Sequence, residues 1–229
     1  MKLLLTSGGI TNDTLAKELE GLAGKPFAEL KIAFIPSAAY GDPSDDKSWL
    51  IKDMHRLIER GATVAVISLA DLTSEEIAEQ LEPVDVIFVG GGQTFYLSWL
   101  MQQKGMFDLL PELLKTKVYA GISAGSMITT PNLRTVSFAI CKPEISDEKL
   151  GLLGPKGRSS ASTLDLVDFL FRPHMNSDYR SDISLEKVQQ VVNATGIKAY
   201  ALDDNSAVRV VDGKATPVGG GEWHLIEPN

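Results

Sequence analysis

The sequence predicts an α/β fold: a mostly parallel sheet with helices on both faces and a C-terminal β-hairpin with edge strands. Three observations carry that expectation. Short apolar runs rich in β-branched residues alternate with amphipathic segments from the first residues to about position 125. The runs are continuously apolar, as in strands covered on both faces. Small or turn-forming residues follow them, as in Ser7-Gly8-Gly9, Pro36-Ser37-Ala38 and Gly90-Gly91-Gly92.

The elements follow in order. Leu3 to Thr6 reads as a buried strand. Asn12-Asp13-Thr14 is suited to cap a helix with Leu15, Leu19 and Leu22 on one face, stopped at Gly24-Lys25-Pro26. Leu30 to Ile35 is a second strand. Ser44 to Lys47 opens a second helix, in which Leu50, Met54, Leu57 and Ile58 recur at helical spacing up to Gly61. Thr63 to Leu69 is a third strand, Ser74-Glu75-Glu76 starts a short helix with Ile77 and Leu81, and Val84 to Val89 is a fourth strand. Helices are expected over Gln93 to Met101 and Met106 to Leu114, then a fifth strand over Val118 to Ile122. Periodicity then loosens between Thr129 and Gly157. Ser137 to Cys141 suggests a strand, and Gly154 to Ser160 a surface loop. Leu164 to Phe171 is apolar and runs into Arg172-Pro173-His174-Met175. Ser184 to Val192 reads as a helix and Lys198 to Leu202 as a strand. A hairpin follows over Ala207 to Val218 with an Asp212-Gly213 turn, then an edge strand over Trp223 to Ile226. No repeat or linker is visible, so one domain over residues 1–229 is the simplest reading.

Composition narrows the function classes. The 229 residues carry a formal net charge of −8, which argues against nucleic acid as a partner. No run approaches the ~20 apolar residues of a membrane span, and the N-terminal run is too short for a signal peptide. The one cysteine, Cys141, excludes an internal disulfide and fits a reducing cytoplasm. No cluster of His, Cys and acidic residues has metal-ligand spacing, so neither a metal nor a cofactor is expected.

The chemistry centres on Gly121-Ile122-Ser123-Ala124-Gly125, a Gly-x-Ser-x-Gly pattern at the end of an apolar run. Such a strand-to-helix turn raises a serine hydroxyl above the sheet, and its glycines lack the Cβ that would clash there. It also sets the Ala124 N–H at a helix N-terminus, suited to a developing oxyanion. Glycines at Gly90-Gly91-Gly92 would let backbone N–H groups approach the same place. A serine nucleophile needs a base. Of His55, His174 and His224, His174 follows a strand-like run and Pro173, so it is preferred. The imidazole needs a carboxylate. Asp203 and Asp204 end a strand and face opposite ways, so only one can point at the site; Asp178 is a third candidate.

Gly90-Gly91-Gly92-Gln93-Thr94-Phe95, Gly121 to Ser126, Pro131-Asn132-Leu133-Arg134-Thr135 and Pro173-His174 together resemble peptidase E, the aspartyl dipeptidase family related to the cyanophycinases. The resemblance runs from the first strand to at least Ala207. It implies the fold of the class I glutamine amidotransferases, with serine replacing cysteine at the elbow. It further implies a cytoplasmic serine peptidase that cleaves dipeptides with an N-terminal aspartate (Asp-Xaa) and acts as a monomer or homodimer. Carried over by position, Ser123 is the nucleophile and His174 the base. Ala124 with Gly91 and Gly92 supplies the oxyanion N–H groups, and Asp204 is chosen over Asp203 as the acid. Gln93, Thr94 and Arg134 fall to substrate binding, with Arg172 and Arg180 as further cations for an aspartate side chain. Two departures stand out: relatives often place glutamate where this chain has Asp204, and Val136-Ser137-Phe138 lacks an acid that some members carry. A cyanophycinase-like β-aspartyl hydrolase, an esterase using His224 and a non-catalytic binding protein are the alternatives.

Overall fold

The computed structural model describes residues 1–43, 46–133, 162–178 and 183–229. Among these, seven strands form one sheet in the order β3-β2-β4-β5-β1-β8-β9. They are β1 (Lys2–Thr6), β2 (Lys31–Ile35), β3 (Thr63–Val66), β4 (Val86–Val89), β5 (Val118–Ile122), β8 (Ser206–Val211) and β9 (Lys214–Gly219). The first five are mutually parallel; β8 runs antiparallel to β1, and β9 to β8.

Side-chain alternation along each strand builds two separate cores. Leu4 of β1, Phe34 of β2, Phe88 of β4 and Ala120 of β5 meet α1 (Asp13–Ala23) and α2 (Ser48–Glu59) through Leu15, Leu19, Leu50 and Leu57. Leu3 and Leu5, Ile35, Val89 and Tyr119 point to the opposite face. There they pack on α3 (Ser74–Leu81), α4 (Thr94–Gln103) and α5 (Met106–Leu113) through Ile77, Leu97, Met101 and Leu110. Helices therefore cover both faces of a mostly parallel sheet, as expected. Local signals act as read: Asn12 Oδ1 accepts from Leu15 N at 3.0 Å and caps α1, and Gly24 ends it at φ 72°. Asp212 and Gly213 turn the hairpin with φ 47° and 82°.

Three readings change. The last strand, β10 (Trp223–Ile226), does not join the main sheet. It pairs with β7 (Ala199–Leu202), which pairs with β6 (Leu170–Arg172), in a separate three-stranded sheet. That sheet has two apolar faces. Phe171, Tyr200 and Leu202 pack on the main core, while Leu170, Ala199 and Ala201 pack under α7 (Leu185–Thr195). A strand buried on both faces reads alike whichever sheet it joins, so the sequence pattern did not separate the two. The second difference is in α2. Leu50 and Leu57 are buried, but Ile58 is 52% exposed, because the buried stripe is narrower than the apolar one. The helix also begins at Ser48, later than expected. Third, β3 stops at Val66, although Ile67 and Leu69 beyond it are still buried. The expected strand over Ser137 to Cys141 and the loop over Gly154 to Ser160 lie outside the described residues, as does Cys141 itself.

The register sets up the site. Parallel strands β4, β5 and β1 are neighbours and end together, so their following loops converge at one edge. Because β8 is antiparallel to β1, pairing Thr6 with Ala207, the residues just before β8 arrive at that same edge.

Candidate active site

Ser123 sits in the tight turn between β5 and the short helix α6 (Ala124–Met127), at φ 49° and ψ −105°. Positive φ is costly for a residue with a Cβ, so the surroundings must hold it. They do so through hydrogen bonds to main-chain atoms of β1 and of the turn. Thr6 O accepts from Ser123 N at 3.1 Å and from Ser126 Oγ at 2.8 Å, while Thr6 Oγ1 donates to Gly121 O at 2.6 Å. From below, the buried Tyr119 hydroxyl donates to Gly125 O at 2.6 Å. Both glycines of the pattern are needed for close approach. A Cβ on Gly125 would lie 2.1 Å from Val89 O, and one on Gly121 would lie 2.6 Å from Ser126 N.

A hydrogen-bonded chain leads away from the serine. Ser123 Oγ lies 2.7 Å from His174 Nε2, and His174 Nδ1 lies 2.6 Å from Asp204 Oδ1. Burial pushes the Asp204 carboxyl up, but hydrogen bonds from His174 and Ser7 and the charges of His174 and Arg56 outweigh it. Its pKa therefore falls below the ordinary carboxylate value. An ionised carboxylate only accepts, so Nδ1 carries the proton and Nε2 is left to accept from the serine hydroxyl. Ser7 fastens this chain to β1: its Oγ accepts from His174 N at 2.8 Å and donates to Asp204 Oδ1 at 2.8 Å. His174 itself stands at φ 64°, with Met175 N donating to Leu202 O at 2.9 Å on its far side.

The neighbouring acid does different work. Asp203 accepts from Asn205 N, Ser206 Oγ and Glu222 N, and so closes the turn between β7 and β8. His224 lies on β10 with Nε2 2.9 Å from Glu222, and His55 is on the exposed side of α2 beside Glu59.

Ser123, His174 and Asp204 line a cavity of about 560 Å³. Gly91 and Gly92 form the wall beside the serine, and a Cβ on Gly91 would lie 3.4 Å from Ser123 Cβ. Gly92 has φ 133°, and a Cβ there would meet Ala38 O at 2.4 Å. Ala124 follows the serine directly and opens α6, with its methyl in the main core. Trp49, Asp53 and Arg56 of α2 form another part of its wall, as do Gly8 and Thr11.

The sequence profile of peptidase family S51 matches residues 3–218. The chain belongs to peptidase family S51. It is 27% identical over 182 residues to an uncharacterised peptidase of Pasteurella multocida, covering 78% of this chain and 80% of that one. It is 25% identical over 229 residues to peptidase E of Streptomyces coelicolor, covering 96% and 84%. The structure superposes on a candidate peptidase E protein from Listeria monocytogenes with a TM-score of 0.71 and 24% identity, over 96% of this chain and 98% of that one. That last likeness concerns the fold. Family membership makes the chain a peptidase, and a serine-type mechanism fits the family.

Within this S51 chain, Gln93, Thr94 and Arg172 are not among the residues that line the cavity. Gln93 caps α4, its Oε1 accepting from Tyr96 N at 2.7 Å, and Thr94 is buried behind it. Arg172 is buried in β6, and Asp178 lies away from the cavity on an exposed turn. Arg134 and Arg180 are outside the described residues. Sequence reading missed Ser7, Thr11 and the α2 wall. The signal for that wall was present: Trp49, Asp53 and Arg56 recur at i, i+4 and i+7, a polar stripe beside the apolar one.

Proposed function

We propose that this chain is a serine dipeptidase that hydrolyses Asp-Xaa dipeptides through Ser123, His174 and Asp204. The observation that carries the reading is the unbroken Oγ–Nε2 and Nδ1–Oδ1 pair of contacts at 2.7 and 2.6 Å, opening on one cavity. Ser123 Oγ attacks the scissile carbonyl while His174 Nε2 takes its proton. Asp204 stabilises the imidazolium without taking the proton itself. The carbonyl oxygen gains negative charge as the tetrahedral intermediate forms, and the N–H groups of Ala124 and of Gly91 or Gly92 stabilise it. The intermediate collapses as His174 protonates the leaving amine, giving an acyl-enzyme. Water, deprotonated by the same imidazole, then attacks the ester and releases the aspartyl product. The methylene that Asp204 lacks relative to glutamate is no obstacle, because Ser7 holds His174 and Asp204 together. A cytoplasmic setting and action on small peptides as a monomer or homodimer belong to the same proposal.

The test is a panel of Asp-Ala, β-aspartyl-Ala, Asn-Ala, Glu-Ala and Ala-Ala, assayed with the native chain and with Ser123→Ala. The expected result is preferential hydrolysis of Asp-Ala and a loss of at least about a thousand-fold in the variant. Undiminished turnover by the variant would sink the nucleophile assignment, and a preference for β-aspartyl-Ala would move the substrate class.

A further inference from the structure

The α2 wall of the cavity holds a charged pair that the hydrolytic chain does not use. Asp53 and Arg56 are i and i+3 on one face of α2 and both line the cavity that Ser123 lines. Arg56 Nη1 donates to Asp53 Oδ1 at 3.0 Å and to Gly8 O at 3.1 Å. Among the described residues, Asp53 Oδ2 accepts no hydrogen bond, and Arg56 Nη2 and Nε donate none. The Asp53 side chain is only 9% exposed, so this is a carboxylate with one oxygen uncommitted and little bulk water. Arg56 is 38% exposed, with its remaining donors available.

We propose that Asp53 and Arg56 form the subsite for the substrate's N-terminal residue, Asp53 binding its α-ammonium and Arg56 the carboxylate of its side chain. The chemistry matches in sign. An N-terminal aspartate carries its ammonium on Cα and its carboxylate group on the adjacent Cβ. It is a compact zwitterion, and the ion pair on α2 is its complement. With the scissile carbonyl at Ser123, both charged groups of that residue belong to the part of the substrate nearest the serine. The guanidinium fork suits a carboxylate and discriminates against a neutral amide. A nearly buried acid suits an ammonium that it can desolvate. Burial lifts the Asp53 carboxyl to about 7, Arg56 pulls it down and the charge of Asp204 pushes it up, so the ionised form would gain from a second cation beside it. The subsite rests on the dipeptidase reading for its orientation toward Ser123.

Kinetics and binding test the subsite separately. The kcat/KM values for Asp-Ala and Asn-Ala are measured for the native chain, Arg56→Gln, Arg56→Lys and Asp53→Asn. Calorimetric affinities for free L-aspartate and for succinate are measured on the same proteins, with thermal melts to verify folding. Arg56→Gln is expected to shrink the preference for Asp-Ala over Asn-Ala by about 100-fold, and Arg56→Lys to restore part of it. Asp53→Asn is expected to shrink the preference for L-aspartate over succinate by about 30-fold, since succinate lacks the ammonium. Native-like ratios in folded variants would overturn the subsite while leaving the dipeptidase reading intact. Binding of L-aspartate through Arg56 by a native chain that cleaves no dipeptide would retain the subsite and remove the dipeptidase reading. A native chain that neither cleaves Asp-Ala nor binds L-aspartate would overturn both.

Discussion

The two walls of the cavity are built on opposite principles. The serine wall is made of backbone: three parallel strand ends, a turn at positive φ, and glycines packed within reach of neighbouring carbonyls. The α2 wall is made of side chains on an ordinary amphipathic helix, where Trp49 packs against the core and Asp53 and Arg56 stand beside it. Geometry that only small residues can adopt leaves a mark on the sequence. Charged residues on a helix surface resemble any solvated face. A backbone-built wall should fail as a unit when one Cβ is added, whereas a side-chain-built wall should change its chemistry and keep its fold.

The largest expected effect separates two adjacent acids at the serine wall. Asp204→Asn should lower kcat by about ten-thousand-fold, because an amide can hold the wrong imidazole tautomer. Asp203→Asn should leave kcat within a fewfold and lower the melting temperature, since Asp203 only closes a turn. Steady-state assays and melts of both variants decide it, and equal kinetic losses would erase the distinction between the two residues.

Next in size is Gly125→Ala. Its Cβ would sit 2.1 Å from Val89 O, with backbone on both sides of the contact. A destabilisation of about 4 kcal/mol or more is expected in denaturant unfolding. A loss below about 1 kcal/mol would show that the elbow is more plastic than its packing implies.

The α2 wall should behave in the reverse way. Burial raises the Asp53 carboxyl to about 7 in the folded chain, against 3.8 for an ordinary aspartate. Between those values the folded state holds the extra proton, so native stability should fall as pH rises from about 4 to about 7, then level off. Asp53→Asn removes that slope. The variant should gain on the order of 2–3 kcal/mol relative to the native chain across that window, with no gain below pH about 4. Melts in a pH series would show it, and parallel curves would contradict it.

The smallest effect returns to the serine wall. Tyr119→Phe deletes the donor to Gly125 O in a fully buried site. A loss of about 1–3 kcal/mol is expected, from the carbonyl left unsatisfied. No change in unfolding free energy would mean that Tyr119 does not hold the turn.

The same contrast explains what was readable in the sequence. The parallel sheet, its two-sided helices, the Asn12 cap and the Asp212-Gly213 hairpin follow from periodicity and turn chemistry. Ser123 and His174 stand out as candidates because one sits between two glycines and the other follows a proline at a strand end. The separate sheet of β6, β7 and β10 was not found, because burial on both faces leaves no alternation to read. Asp204 could be told from Asp203 only by resemblance, since alternation leaves their facing undefined at a strand end. Gln93 falls to substrate binding by resemblance alone, and in the structure its Oε1 caps α4. Ser7 depends on a long-range contact, across 167 residues to His174, that no local pattern encodes, and the α2 stripe, though periodic, reads like any solvated helix face.

We propose that His174 and Asp204 activate Ser123 within this cavity. The most direct measurement is intact-mass and peptide-mapping analysis after exposure to a small fluorophosphonate, with the native chain, His174→Ala and Asp204→Asn. A single adduct on Ser123 in the native chain, formed at least about a hundred-fold more slowly in both variants, is the predicted result. A folded native chain whose Ser123 is never labelled, or is labelled equally fast without His174, would contradict the account.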